Sequence, residues 1–139
     1  MKRILLDVNV ILDVLLDRKP HADASSLVWA VVERGHLKGL LAAHGVTTIH
    51  HLVRSARGRA AAGRTVDEIL RVLDVARVDG EVVRRALRLD WPDFEDAVTA
   101  AAADAAHCDA IVTRDPKGFP RSPVRVITAE AAAPLLLND

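Results

Sequence analysis

The residues of this chain best suited to chemistry are aspartates. Asp7 closes one short apolar run and Asp115 closes another, while Asp93 and Asp96 lie in "PDFEDAV", which opens the alanine-rich stretch "TAAAADAA". Helix starts favour acids, because unpaired N–H groups and the positive end of the macrodipole lie there. Asp93 therefore reads as an N-cap and Asp96 as the acid of a capping box. One cap and one dipole partner need only two carboxylates, and Glu95 makes a third. Asp93 and Asp96 are also three residues apart, so they share a helix face and repel each other unless positive charge lies between them. Taken alone the segment is a capping sequence; a cation site depends on whether Asp7 and Asp115 come to meet it. Carboxylates ~5 Å apart repel by about 3 kcal/mol per pair at an effective dielectric of 20, which calls for a compensating charge. Oxygen-only donors suit a hard cation, Mg²⁺ or Mn²⁺, rather than zinc. Cys108 is the single cysteine, which excludes an intrachain disulfide and a thiolate zinc site.

Whether the acids meet depends on the elements that carry them. "RILL" reads as a strand ending at Asp7, and "VNVILDVLLDR" as an amphipathic helix with Asn9 near its start. "ADASSLVWAVVERG" is a second helix and "LKGLLAA" the next strand. In "TTIHHLVRSARG" the apolar residues Ile49, Leu52, Val53 and Ala56 follow helical spacing, giving a third helix that ends near Gly58. "TVDE", residues 65–68, reads as a capping box opening "ILRVLDVA", with a brief strand around "ARV" and a helix over "EVVRRALRL". The alanine helix, a buried strand in "DAIVTRD", a last strand in "VRVI" and a short helix from Thr128 complete the chain. Strands separated by helices cannot pair as hairpins, so the expected fold class is α/β, a three-layer α/β/α domain with a mainly parallel central sheet. In such sheets ligands bind beyond the carboxyl ends of the strands, where Asp7 and Asp115 are expected.

The segments "RILLDVNVILDVLL", "DFEDAVTAAAA" and "CDAIVTRDPKGF", in that order and spanning nearly the whole chain, resemble the PIN-domain family, in particular its branch of toxin ribonucleases (VapC-like) from toxin–antitoxin pairs. The resemblance implies one PIN-like domain over residues 1–139. It implies a metal-dependent endoribonuclease in which a carboxylate cluster holds Mg²⁺ or Mn²⁺ and a metal-activated water attacks the phosphodiester. Matched residue by residue, Asp7, Asp96 and Asp115 take the catalytic and metal-holding places, and Asn9 and Asp93 match common neighbours of the site, Asp93 as a metal neighbour; Thr113 and Arg114, which precede Asp115 in the strand-end loop, join Asn9 as residues that support the site or touch substrate. RNA as substrate, an antitoxin protein as partner and a homodimer are further implications. The match departs at the family's second acid, a Glu on the helix after the second strand. "TTIHHLVR" has no carboxylate, and Thr48 fits that slot by its spacing to Ile49, Leu52 and Val53, with His51, opposite the apolar stripe, as the alternative. A threonine offers a hydroxyl but no charge. This keeps open a different function: a PIN-like module with a degenerate metal site that binds RNA or protein without catalysis. An aspartate-phosphorylating hydrolase would need a second Asp two residues after Asp7, where this chain has Asn9.

Composition sets the remaining bounds. Lys plus Arg equals Asp plus Glu at 19 each, so no general cationic pull draws a polyanion and any nucleic acid must be held by a local patch. "RSARGRAAAGR", with Arg54, Arg57, Arg59 and Arg64, serves as such a patch or as a solvated helix end. Two Trp, two Phe and no Tyr disfavour folds that stack bases on an aromatic sheet. No apolar run is long enough for a membrane span, so a soluble, cytoplasmic, membrane-free protein is expected. Asp13 and Asp17, four residues apart, read as a solvated helix face, and Arg114 either as a partner for neighbouring acids or as a phosphate clamp. Adjacent His50 and His51 lack the spacing of a helical zinc pair, and Cys108 reads as a small core residue.

Overall fold

The structure is a computed structural model and describes residues 1–137. Its strands are Arg3–Leu6 (β1), Lys38–Ala42 (β2), Asp74–Ala76 (β3), Ala110–Val112 (β4) and Val126–Ile127 (β5), all paired in parallel in the order β3-β2-β1-β4-β5. The helices are Val8–Leu16 (α1), Ala22–Glu33 (α2), Ala43–Arg57 (α3), Arg59–Val72 (α4), Gly80–Leu89 (α5), Phe94–Ala105 (α6) and Ala129–Leu137 (α7), with a 3₁₀ turn at Pro116–Gly118.

The expected three layers follow from the alternation of side chains along β1. Ile4 and Leu6 enter one apolar core with residues of α1, α2, α3, α4 and α7, while Leu5 enters a second core with α5 and α6. The strand is buried on both faces, which explains why "RILL" is apolar throughout. β1 lies in the middle of the sheet, and the chain leaves it towards β2 and β3 on one side and takes up β4 and β5 on the other. That reversal opens a crevice beyond the carboxyl end of β1, and Asp7 is the next residue.

α6 owes its place to small side chains. Ala97, Ala100, Ala101, Ala102 and Ala103 are all buried, so the helix lies close against the sheet and brings its first turn to the same edge. Two local expectations are corrected. "TVDE" does not open a helix: α4 already begins at Arg59, because Gly58, at φ +89°, ends α3 and turns the chain straight into the next helix. β3 lies slightly earlier than the expected "ARV", since pairing with Leu40–Ala42 of β2 selects Asp74–Ala76.

α3 follows β2 without a loop, and its first turn is pressed against the start of α1. A Cβ on Gly45 would lie 2.9 Å from Val8 Cγ2 and 2.9 Å from Leu41 Cδ1. Val8 is β-branched and directly follows Asp7, so it cannot swing away freely. Gly45→Ala is expected to lose about 1–2 kcal/mol, the overpacking cost exceeding the roughly 1 kcal/mol gained in helix propensity. Urea denaturation of the two proteins checks this; an unchanged or higher midpoint would show that α1 and α3 separate easily.

Candidate functional site

Asp7 is held at three atoms. Its backbone N–H donates to the Val112 carbonyl at 3.0 Å, extending the β1–β4 pairing by one step. Its Oδ1 accepts from the Val8 N–H at 2.9 Å, capping α1. Its Oδ2 accepts from the buried hydroxyl of Thr113 at 2.9 Å. The same hydroxyl accepts from the Asp115 N–H at 3.3 Å, so Thr113 ties the first acid to the backbone of the last.

Asp93 is the N-cap expected from the sequence: its Oδ1 accepts from the Asp96 N–H at 3.1 Å. The reciprocal half of a capping box does not form. The Asp96 carboxylate has no hydrogen-bond donor among the described residues and lies instead against the 3₁₀ turn. A methyl on Gly118 would stand 3.1 Å from Asp96 Oδ2, tighter than ordinary contact, and 3.9 Å from Asp115 Oδ2, so the missing side chain leaves room for the Asp96 carboxylate beside the turn. Trp91, just before Asp93, and Phe119, just after Gly118, meet edge to face with centroids 5.7 Å apart, joining the segments that carry Asp96 and Asp115.

Asp7, Asp93, Asp96 and Asp115 thus line one open pocket of about 410 Å³, together with Asn9, Thr113 and Arg114. The pocket also contains His21 and Phe119, which the sequence reading did not single out. Nothing in the spacing of His21 marks it, since it lies in the turn before α2 and not beside any of the pocket's acids in sequence. Thr48 is absent from the pocket wall: it is half-buried, and its hydroxyl donates to the His44 carbonyl of its own helix at 3.3 Å. The α3 side chain that reaches α6 is His44, whose Nε2 lies 3.2 Å from Thr99 Oγ1. Since that hydroxyl gives its proton to the Glu95 carbonyl at 3.0 Å, the imidazole must be the donor.

The acids burden one another. Burial raises the pKa of Asp7, opposed by the hydrogen bonds from Thr113 and Val8 and reinforced by Glu95 and Asp93. Burial, followed by repulsion from Asp7, Asp93, Glu95 and Asp115, pushes Asp96 up to about 7. The repulsion between Asp7 and Asp96 falls on Asp96, because Asp7, stabilised by its two donors, ionises first. Among the described residues no basic side chain forms an ion pair with Asp96, although His21 and Arg114 line the same pocket. By charge and donor type the residues fit a hard divalent cation. Among the described residues, however, no group of three or more His, Cys, Asp or Glu side chains stands close enough together to hold a metal ion; the carboxylates line an open pocket.

The expectation for Asp13 is overturned. It is 0% exposed, with Arg18 Nε 3.0 Å from its Oδ1 and Arg114 Nε 3.5 Å from its Oδ2. Both contacts are charge pairs whose N–H directions miss hydrogen-bond alignment, so neither oxygen has a proper donor among the described residues. Arg18 continues to Asn9, donating from Nη2 to its backbone carbonyl at 3.1 Å and its Oδ1 at 3.4 Å. Cys108 is half-buried, and burial pushes its thiol up to about 11, as suits an inert packing residue.

The profile of the PIN domain family matches residues 3–117. The chain belongs to the PIN domain family. Solved structures share this PIN fold at low identity. VapBC2 from Rickettsia felis, bound to a DNA fragment from its promoter, is 14% identical with a TM-score of 0.71, covering 91% of this chain and 98% of that one. VapC20 of Mycobacterium tuberculosis, a toxin that cleaves the Sarcin–Ricin loop, is 15% identical with a TM-score of 0.67, covering 83% and 92%. VapBC-1 from nontypeable Haemophilus influenzae is 11% identical with a TM-score of 0.72, covering 91% and 98%. No curated protein matches the chain.

The raised pKa of Asp96 links this PIN domain's stability to pH. Between its ordinary 3.8 and about 7, the folded chain keeps a proton that the unfolded chain has released. Stability therefore falls as pH rises through that window and stays reduced above it. Asp96→Asn removes the titrating group. Thermal melts in EDTA should show the variant more stable than wild type at pH 8, with the gap narrowing towards pH 4. A gap independent of pH would mean that Asp96 ionises normally.

Proposed function

We propose that this PIN domain is a divalent-cation-dependent endoribonuclease of the VapC-like type, acting as the toxin of a toxin–antitoxin pair. The observation that carries the reading is the meeting of Asp7, Asp93, Asp96 and Asp115 in one pocket, where burial and mutual repulsion push Asp96 up to about 7. Asp7, Asp96 and Asp115 would hold Mg²⁺ or Mn²⁺ with Asp93 beside them, and the ion would supply positive charge for the phosphodiester and lower the pKa of a water. Asp7 is pre-positioned by three hydrogen bonds, Thr113 keeps it in register with Asp115, and Phe119 walls one side from solvent. The shared fold with VapC20, a toxin that cleaves the Sarcin–Ricin loop, supports a nuclease activity, here proposed to act on RNA, and the shared fold with toxin–antitoxin complexes supports an antitoxin partner. A homodimer working in the cytoplasm completes the reading. No helix among the described residues is long and apolar enough to cross a membrane.

One observation favours a second reading, a PIN-like module with a degenerate metal site that binds RNA or protein without catalysis. α3 carries no carboxylate, and Thr48 turns its hydroxyl back to its own helix. The two readings separate by experiment. Single-stranded RNA should be cut in Mn²⁺, spared in EDTA and spared by Asp96→Asn, which keeps the side-chain volume and loses the charge. Mn²⁺ should also raise the melting temperature, corresponding to about 2.7 kcal/mol at a hundredfold excess over Kd, and Asp7→Asn should abolish that shift. Absence of both a Mn²⁺ shift and cutting supports the module; cutting that survives EDTA rejects the cation-dependent enzyme.

Thr48 can be tested in its own right. Thr48→Glu should tighten Mn²⁺ binding in a calorimetric titration by adding a carboxylate on α3, whereas His51→Glu, at an exposed position, should leave it unchanged. The reverse order would place the slot for the family's second acid at His51.

A further inference from the structure

Arg114 lies in the pocket wall beside four carboxylates, yet no carboxylate of the pocket pairs with it. Its single protein contact among the described residues is made by the inner nitrogen, Nε, to the fully buried Asp13. Its outer nitrogens, Nη1 and Nη2, make no hydrogen bond with protein among the described residues, and the side chain is 33% exposed. A guanidinium held from behind with its outer edge free presents paired N–H donors in a planar fork, the geometry that matches phosphate oxygens two at a time. Arg18 shares Asp13, so two cations stand against one buried anion and the group keeps a net positive charge. Were Arg114 there only to neutralise the pocket's acids, it would pair with one of them. It is instead drawn aside by Asp13.

Resting on the ribonuclease reading, we propose that Arg114, oriented by Asp13, seats a backbone phosphate of single-stranded RNA next to the carboxylate pocket. Arg114 directly follows Thr113 and precedes Asp115, so a phosphate on its outer edge would place the neighbouring linkage near Asp115 and Asp96. Asp13 is the positioning residue: it is buried in α1, does not line the pocket, and holds Arg114 by charge.

The test reads binding alone. Fluorescence anisotropy of the full chain with a labelled single-stranded RNA, in EDTA from 50 to 200 mM salt, gives affinity and its salt slope. Arg114→Gln keeps a donor for Asp13 and removes the charge; it should weaken binding several-fold and reduce the slope of log affinity on log salt by about 0.7, the value for one phosphate contact on a single strand. Arg114→Lys should restore the slope but not the full affinity, because the charge returns without the fork. A role confined to folding would restore both or neither, in step with melting temperature. Arg125→Ala, exposed at the opposite end of the sheet before β5, is the control and should leave the slope unchanged. Wild type that binds no RNA, or Arg114→Gln with the same slope as Arg125→Ala, overturns the proposal. Failure of the ribonuclease reading appears separately, as RNA binding that depends on Arg114 without Mn²⁺-stimulated cutting.

Discussion

The register between β1 and β4, in which Leu6 stands opposite Val112, is the constraint on which the rest of the site depends. It places the next residues of the two strands, Asp7 and Thr113, side by side, close enough for the hydroxyl to reach the carboxylate. A slip of one residue would turn Ile4, Leu5 and Leu6 to the wrong cores as well as separating this pair. Burial of the first strand on both faces therefore protects the chemistry as a by-product of protecting the fold.

The extended backbone past β4 distributes three different side chains from three successive residues. Thr113 turns inward to Asp7, Arg114 turns to Asp13 on α1, and Asp115 faces the 3₁₀ turn beside Asp96. One short segment thus meets three elements, and its position is over-determined. The electrostatic cost is distributed unevenly. Asp7 recovers part of its desolvation through two hydrogen bonds, whereas Asp96 recovers none and bears the repulsion of the whole group. Pre-organised acids without a counter-charge are a destabilised arrangement that cation uptake would relieve.

Much of this was legible in the sequence because the relevant signals are local. Apolar runs gave the strands, helical spacing gave α1 and α3, and an aspartate ahead of an alanine stretch gave the cap on α6, so the parallel three-layer sheet followed from connection lengths alone. What escaped depends on long-range contacts. Asp13 looked like half of a solvated pair with Asp17, because its partner Arg114 is distant in the chain and meets α1 only when β4 pairs beside β1. His21 enters the pocket by the way α2 is turned back, which no periodicity records. Asp96 has the sequence position of a capping-box acid, and only the packing of Gly118 shows that its carboxylate is employed elsewhere.

The departure at α3 bears on how the site is balanced. A carboxylate at Thr48 would extend a group whose most strained member, Asp96, already sits near neutrality without an ion-pair partner among the described residues. The helix instead presents His44 to Thr99, one turn along α6 from Asp96 and with no negative charge. The chain thereby combines fewer acids around the pocket with a guanidinium at its wall that the acids do not consume. In the proposed function, cation affinity would rest on Asp7, Asp96 and Asp115, while Arg114 would supply attraction for a polyanion that the neutral chain as a whole does not.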